Sequence, residues 1–201
     1  MASLREAKKE ATRRALADAA ARLALSGGSD AVTVGAIAEA AGVSARTFHN
    51  YFTSAADALL YFTADVLEQF SAEVPDLFPE ARGVTELFES IVLDSLGDQQ
   101  TELHSLLPSL FRVGEALDNL SSSSEDKRKY DAVAHGVLDA FHARFPARDS
   151  FEVAVLLQAS AGAAIVALKE NSTHQLTNDS VGAKELVKRA FSTLRTVSPA
   201  P

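Results

Sequence analysis

The sequence predicts an all-α fold. Alanine and leucine dominate every extended segment, apolar residues recur at helical spacing, and period-two alternation flanked by hairpin turns is absent. With 201 residues, 47% of them hydrophobic and 23% charged, the chain can bury a sizeable core in one or two small domains.

The first helix is expected at about 5–25, with Leu16, Ala20, Leu23 and Ala24 as its apolar stripe. Ser26-Gly27-Gly28-Ser29 should end it, since glycine tolerates the left-handed backbone that closes a helix. Two short helices follow at 34–41 and 45–51, with Thr33 and Ser44 as N-caps. Ser54 opens a longer helix to about residue 74, and Asp57 three positions on makes a capping-box-like arrangement. Pro75 and Pro79 stop that helix. Further helices are expected at 84–96, 102–117, 125–145, 150–170 and 181–197, with a serine linker at 121–124 and a polar loop at 171–180. The division that results is an N-terminal three-helix domain at 1–53 and a helical body at 54–201.

Composition removes several function classes. There is no cysteine, which excludes disulfides, thiolate metal sites, iron–sulfur clusters and thiol redox sensing. Asp18 and Arg22 interrupt the alanine-rich stretch where the apolar core of a signal peptide would run. The most apolar segment, 153–168, is short for a bilayer and carries Gln158 and Ser160, so it reads as a buried helix. No membrane is expected, and the cytoplasm is the expected location. A net charge of −8 argues at first against nucleic acid. Its distribution argues otherwise. Residues 1–53 hold seven Lys and Arg against five Asp and Glu, so a mildly basic head precedes a strongly acidic body.

The stretch from Thr33 to Phe52 carries the chemistry. Ile37, Ala41, Val43, Phe48, Tyr51 and Phe52 are the apolar positions needed to pack two crossing helices onto a third. Ala38 is small where those helices approach, and Gly42 sits where the turn wants a positive φ. Ser44, Ala45, Arg46, Thr47, His49 and Asn50 are left outside the core, on the part of the second helix that a recognition helix presents to the major groove. A helical hairpin that merely shares this pattern is the alternative. Position favours the helix-turn-helix, because the pattern follows a basic amphipathic helix and precedes a capped one.

Through Thr33-Val34, Ile37-Ala38, Ala41-Gly42-Val43-Ser44, Thr47-Phe48 and Tyr51-Phe52, the chain resembles the TetR family of bacterial repressors over roughly residues 8–62. The resemblance implies a homodimeric repressor on double-stranded, palindromic operator DNA, with an effector pocket in the C-terminal body and release when the effector binds. It implies DNA contacts at Thr33, Ser44, Arg46, Thr47, His49, Asn50 and Tyr51, beside Ala45 on the recognition helix. The family usually places a lysine three residues after the Tyr-Phe pair, where this chain has Ala55. A helical ligand- or protein-binding module with a vestigial helix-turn-helix is the competing reading.

Elsewhere the bland reading prevails. His135, Asp139 and His142 fall at i, i+4 and i+7, but i and i+7 lie roughly 10 Å apart along a helix. Solvated or pocket-lining side chains are therefore expected there and no metal, and His104 is read the same way. Arg112 and Glu115 are expected to form a surface ion pair. No phosphate loop, nucleophile elbow or zinc-protease motif occurs, so neither an enzyme nor a cofactor is expected. Phe88, Leu107, Phe111, Tyr130 and Phe141 are candidates to line a pocket for a small apolar effector, with ordinary core as their default role. The helix within 150–170, apolar on nearly all faces, is expected to form a homodimer interface together with 181–197. Ala161, Gly162, Ala163 and Ala164 would admit a partner helix, and a central core helix within one subunit is the alternative.

Overall fold

A computed structural model describes residues 4–97, 110, 113–114, 116–117, 119–120, 124–173 and 180–197. It contains α1 (Leu4–Ala31), α2 (Val34–Ala40), α3 (Ala45–His49), α4 (Ala55–Glu73), α5 (Val84–Ser95), α6 (Ser124–Arg144), α7 (Ser150–Thr173) and α8 (Ser180–Val197), with no strand among the described residues. Of the helix expected at 102–117, Val113, Ala116 and Leu117 are described and buried. His104, Leu107, Phe111, Arg112 and Glu115 lie outside the described residues.

The chain forms two compact units, Met1–Leu67 with Ser109–Val133, and Glu68–Pro108 with Ala134–Pro201. In the first, α1 buries Leu16, Ala17, Ala19, Ala20, Ala21 and Ala24. These side chains are nearly all alanine, so α2 can lie close against α1 while also packing on α3. Ile37, Phe48 and Phe52 fill the space between them, each no more than 1% exposed. The first helix breaks within the expected Ser26-Gly27-Gly28-Ser29 stretch: Gly28 leaves helical geometry, with φ 67° and ψ −164°, and only a short second piece carries α1 on to Ala31. One of the two glycines takes the left-handed φ, and one more turn follows it.

In the second unit, α5 packs on both α7 and α8, which pack on each other. Asp149 caps α7 by accepting a hydrogen bond from the Glu152 N–H at 2.8 Å. The reading of the apolar segment as a short buried helix is corrected. α7 runs from Ser150 to Thr173 and is long and apolar enough to cross a membrane by length and composition alone. Only one of its faces is buried. Val153, Ser160, Ala164 and Ala167 point into the unit, whereas Phe151, Val155, Gln158, Gly162 and Val166 are exposed. At 100° per residue these two sets lie on opposite sides of the helix. α8 is amphipathic, burying Ala183, Val187 and Phe191. The Arg195 guanidinium on α8 pairs with Glu89 on α5.

Candidate nucleic-acid interface

The turn between α2 and α3 is built by local chemistry. Thr33 caps α2 by accepting from the Ala36 N–H at 3.2 Å. At the other end, the Val43 N–H reaches the Ala38 carbonyl at 2.9 Å and the Gly42 N–H reaches Glu39 at 3.0 Å. This is a Schellman turn, and it puts Gly42 in the left-handed region at φ 68°. Ser44 then caps α3, accepting from the Thr47 N–H at 3.1 Å and sharing a hydrogen bond of 2.9 Å with the Thr47 hydroxyl.

Phe48 fixes which way α3 faces. It is fully buried, 5.8 Å from the Phe52 ring centroid. With that side chain turned inward, Ser44, Ala45, Arg46, His49 and Asn50 are exposed, and Thr47 and Tyr51 are half-buried. Thr33 is exposed at the start of α2. The eight positions expected at DNA therefore lie on two capped, neighbouring helices and the turn after them. α3 ends at His49, two residues before its expected limit, because Asn50 and Tyr51 bond back to Thr47 and Phe48 in a tighter turn.

The beginning of α4 is held just as locally. The Asp57 carboxylate accepts from both the N–H and the hydroxyl of Thr53, while the Asp57 N–H donates to Ser54. The expected pairing is present, shifted so that the carboxylate serves the residue before the cap. Ala55, half-buried, is the first residue of the helix.

Sequence reading missed how α1 is fastened to α4. The Arg13 guanidinium lies 5.4 Å from the Phe52 centroid and 4.5 Å from that of Tyr61, and its buried Nε has no hydrogen-bond partner. The ring faces therefore stabilise the cation. Beside it the Tyr61 hydroxyl donates to Glu10. Arg14 sits 3.4 Å from both Glu10 and Asp65. Burial first, and the bond to Glu10 second, hold the Tyr61 phenol above its ordinary value, so it remains a donor. The Glu10–Arg14 spacing was visible in the sequence, but the partners 51 residues away were not.

Asp18 lies near the same cluster. Its carboxyl is pushed above its usual range, chiefly by burial and further by Asp65, against the pull of Arg22 and Arg14. Such a group favours the folded chain below its unfolded value near 3.9, and the contribution is lost as pH rises through the folded value. Asp18→Asn, neutral throughout, should thus raise the melting temperature at pH 7 by a small amount, on the order of 1–2 °C for a group that keeps much of its water. The gain should vanish below about pH 3, where the wild-type carboxyl is protonated in both states. Calorimetric scans at the two pH values check this, and an equal gain at both would contradict it.

The model of the family described as "Bacterial regulatory proteins, tetR family" matches residues 16–60, which span the buried part of α1, the helix-turn-helix and the start of α4. Residues 16–60 thus carry a DNA-binding segment of the TetR type. Solved structures of transcriptional regulators match most of the chain in fold. The fatty acid degradation regulator FadR from Bacillus halodurans aligns with TM-score 0.59 and 17% identity, covering 92% of this chain and 96% of its own. FadR from Bacillus subtilis, solved with stearoyl-CoA, gives 0.60 and 17%, covering 88% and 96%. SmeT, the repressor of the Stenotrophomonas maltophilia multidrug efflux pump SmeDEF, gives 0.52 and 15%, covering 92% and 89%. At these identities the likeness is one of fold. No curated protein sequence matches significantly. The family and these neighbours are transcriptional regulators rather than enzymes.

In the second unit, two of the five residues expected around an effector come together. Phe88, half-buried, lies 6.4 Å from the Phe141 ring. Phe70 and Phe191, which sequence reading did not single out, each stand 6.4 Å from one of that pair. Leu107 and Phe111 lie outside the described residues, and so does the side chain of Tyr130 on α6. His135, Asp139 and His142 share α6, where His142 donates through Nε2 to the Arg148 carbonyl at 3.1 Å. No three metal-ligating side chains gather among the described residues.

Proposed function

We propose that the protein is a cytoplasmic repressor that binds a palindromic operator as a homodimer and is released by a small apolar effector. The observation that carries this is the geometry of α3. A buried Phe48 turns Ser44, Ala45, Arg46, His49 and Asn50 outward from a capped helix inside the family-matched segment. On this reading residues 1–53 meet DNA, through Thr33, Ser44, Ala45, Arg46, Thr47, His49, Asn50 and Tyr51, and residues 54–201 bind effector and partner. Two recognition helices would enter successive major grooves about 34–36 Å apart.

The apolar face of α7 supports the homodimer. Phe151 is 76% exposed, Val166 66% and Val155 50%, and an apolar face left open on a long helix marks an interface. Val181 at the start of α8 is 62% exposed and extends the same argument to the neighbouring helix. Aromatic packing around Phe88 and Phe141 supports an apolar effector, for which Leu107, Phe111 and Tyr130 are the further lining candidates. Stearoyl-CoA, the ligand in the Bacillus subtilis structure, makes long-chain acyl compounds the first to test. The effector acts by binding best to the arrangement whose helix spacing is wrong for DNA, shifting the population away from operator binding.

The test begins with selection of binding sites from a random duplex pool by the full chain, which should enrich two inverted half-sites. Arg46→Ala should then weaken binding to the selected site by about 1–3 kcal/mol if the guanidinium reads a base edge. Unchanged anisotropy titrations on both selected and random duplexes would remove Arg46 from the interface. A pool that enriches nothing favours the competing module with a vestigial helix-turn-helix.

A further inference from the structure

We propose that the exposed first turns of α1 form a second DNA contact, in which Arg5, Lys8 and Lys9 meet backbone phosphates outside the stretch that α3 reads. The proposal rests on the DNA-binding reading above. It follows from how the fold sorts the seven cations of residues 1–53. Arg13 is held over the Phe52 and Tyr61 rings. Arg14 is paired with Glu10 and Asp65. Arg22 acts on the Asp18 carboxylate. Arg46 stands exposed on α3.

Arg5, Lys8 and Lys9 remain, and none of them makes an ion pair with the described residues. Their spacing of i, i+3 and i+4 puts them on one face of the helix, within a sector of about 100°. Every residue from Leu4 to Ala11 is exposed, and Leu4 itself is 89% exposed. The segment therefore contributes nothing to the core, whose first fully buried α1 residue is Leu16. It also lies before residue 16, where the family match begins.

The direction of the segment is set nonetheless. Continuous α-helix joins it to the fastening made by Glu10, Arg13 and Arg14 on Tyr61, Phe52 and Asp65. Leu4 lies about 9 Å along the helix axis from Glu10. Two acids flank this face: Glu10 is engaged by Tyr61 and Arg14, and Glu6, beside Lys9, leaves residues 4–9 with a net charge of +2. What remains is a preformed helical surface with three positive charges that make no ion pair with a described residue. Double-stranded DNA complements it, because phosphates accept charge-assisted bonds at regular spacing whatever the sequence.

The test compares the full chain with Arg5→Ala/Lys8→Ala/Lys9→Ala, using anisotropy of a fluorescein-labelled mixed-sequence duplex over a range of potassium chloride. The slope of log K against log salt should become shallower by about 2–3 per chain bound, one phosphate lost for each cation removed. Arg5→Lys/Lys8→Arg/Lys9→Arg, which keeps the charges, should retain the parental slope. Both variants should melt as wild type does, since the segment buries no side chain. A triple-alanine variant with the parental slope would overturn the proposal and leave the DNA-binding reading standing. A wild-type chain that binds no duplex would overturn both.

Discussion

Gly162→Arg should leave the protein folded but monomeric, with operator binding lost. In the isolated chain an added Cβ at Gly162 meets nothing within 4 Å. An arginine therefore fits the monomer, and within a helix it is preferred to glycine by roughly 0.5–1 kcal/mol. The same side chain is intolerable at a helix–helix contact, where it either separates the partners or buries an unpaired charge at a cost of several kcal/mol. Sedimentation equilibrium should show the mass of one 21.3 kDa chain, and a thermal melt should confirm the fold. Val166→Glu, on the same exposed face, should behave alike. A Gly162→Arg protein that sediments as a dimer with wild-type operator affinity would move the interface to another surface.

Phe48→Ala should destabilise the first unit by about 3–5 kcal/mol and abolish DNA binding with it. The ring is completely buried, touches Phe52 and meets His49 edge-on at 5.5 Å. α3 has only five residues, far too few to persist as a helix without tertiary support. Loss of the ring thus removes what orients the recognition surface as well as part of the core. Urea titration should show an early transition, and a random duplex should be lost as readily as the operator. Arg46→Ala serves as the contrast, since an exposed contact residue should weaken DNA binding and leave the urea midpoint unchanged. Wild-type stability in Phe48→Ala would mean that Phe52 and Ile37 hold α3 without it.

What could be read before folding was mostly short-range. Thr33, Gly42 and Ser44 act through bonds to residues three to five positions away, so residue identity and spacing sufficed to place the turn. Phe48 and Phe52 were legible as core because they stand four residues apart, on one helical face, with polar His49 and Asn50 between them. α7 was harder, since Val153 and Val155 are equally apolar and nothing in their chemistry says which one faces α5 and α8. The exposed side of that helix became visible only once its neighbours were placed. Arg13 and Arg14 read as two ordinary cations of a basic helix. Their fates depend on Tyr61 and Asp65, which the fold alone brings alongside. Phe70 and Phe191 escaped notice for the same reason, being joined to Phe141 and Phe88 across long separations in the chain.

The fastening of α1 to α4 also gives the protein an optical reporter. The chain has no tryptophan and three tyrosines, so its intrinsic emission comes from phenols alone. Among the described side chains, the Tyr61 hydroxyl is bound to a carboxylate and its ring lies under a guanidinium. A phenol hydrogen-bonded to a carboxylate is a weak emitter, because the excited state loses its proton or its energy to that partner. Any event that draws the first helix away from the fourth should therefore brighten the protein without a label. Unfolding of the first unit, or any step that loosens this fastening, can then be followed in the unmodified chain by its tyrosine emission.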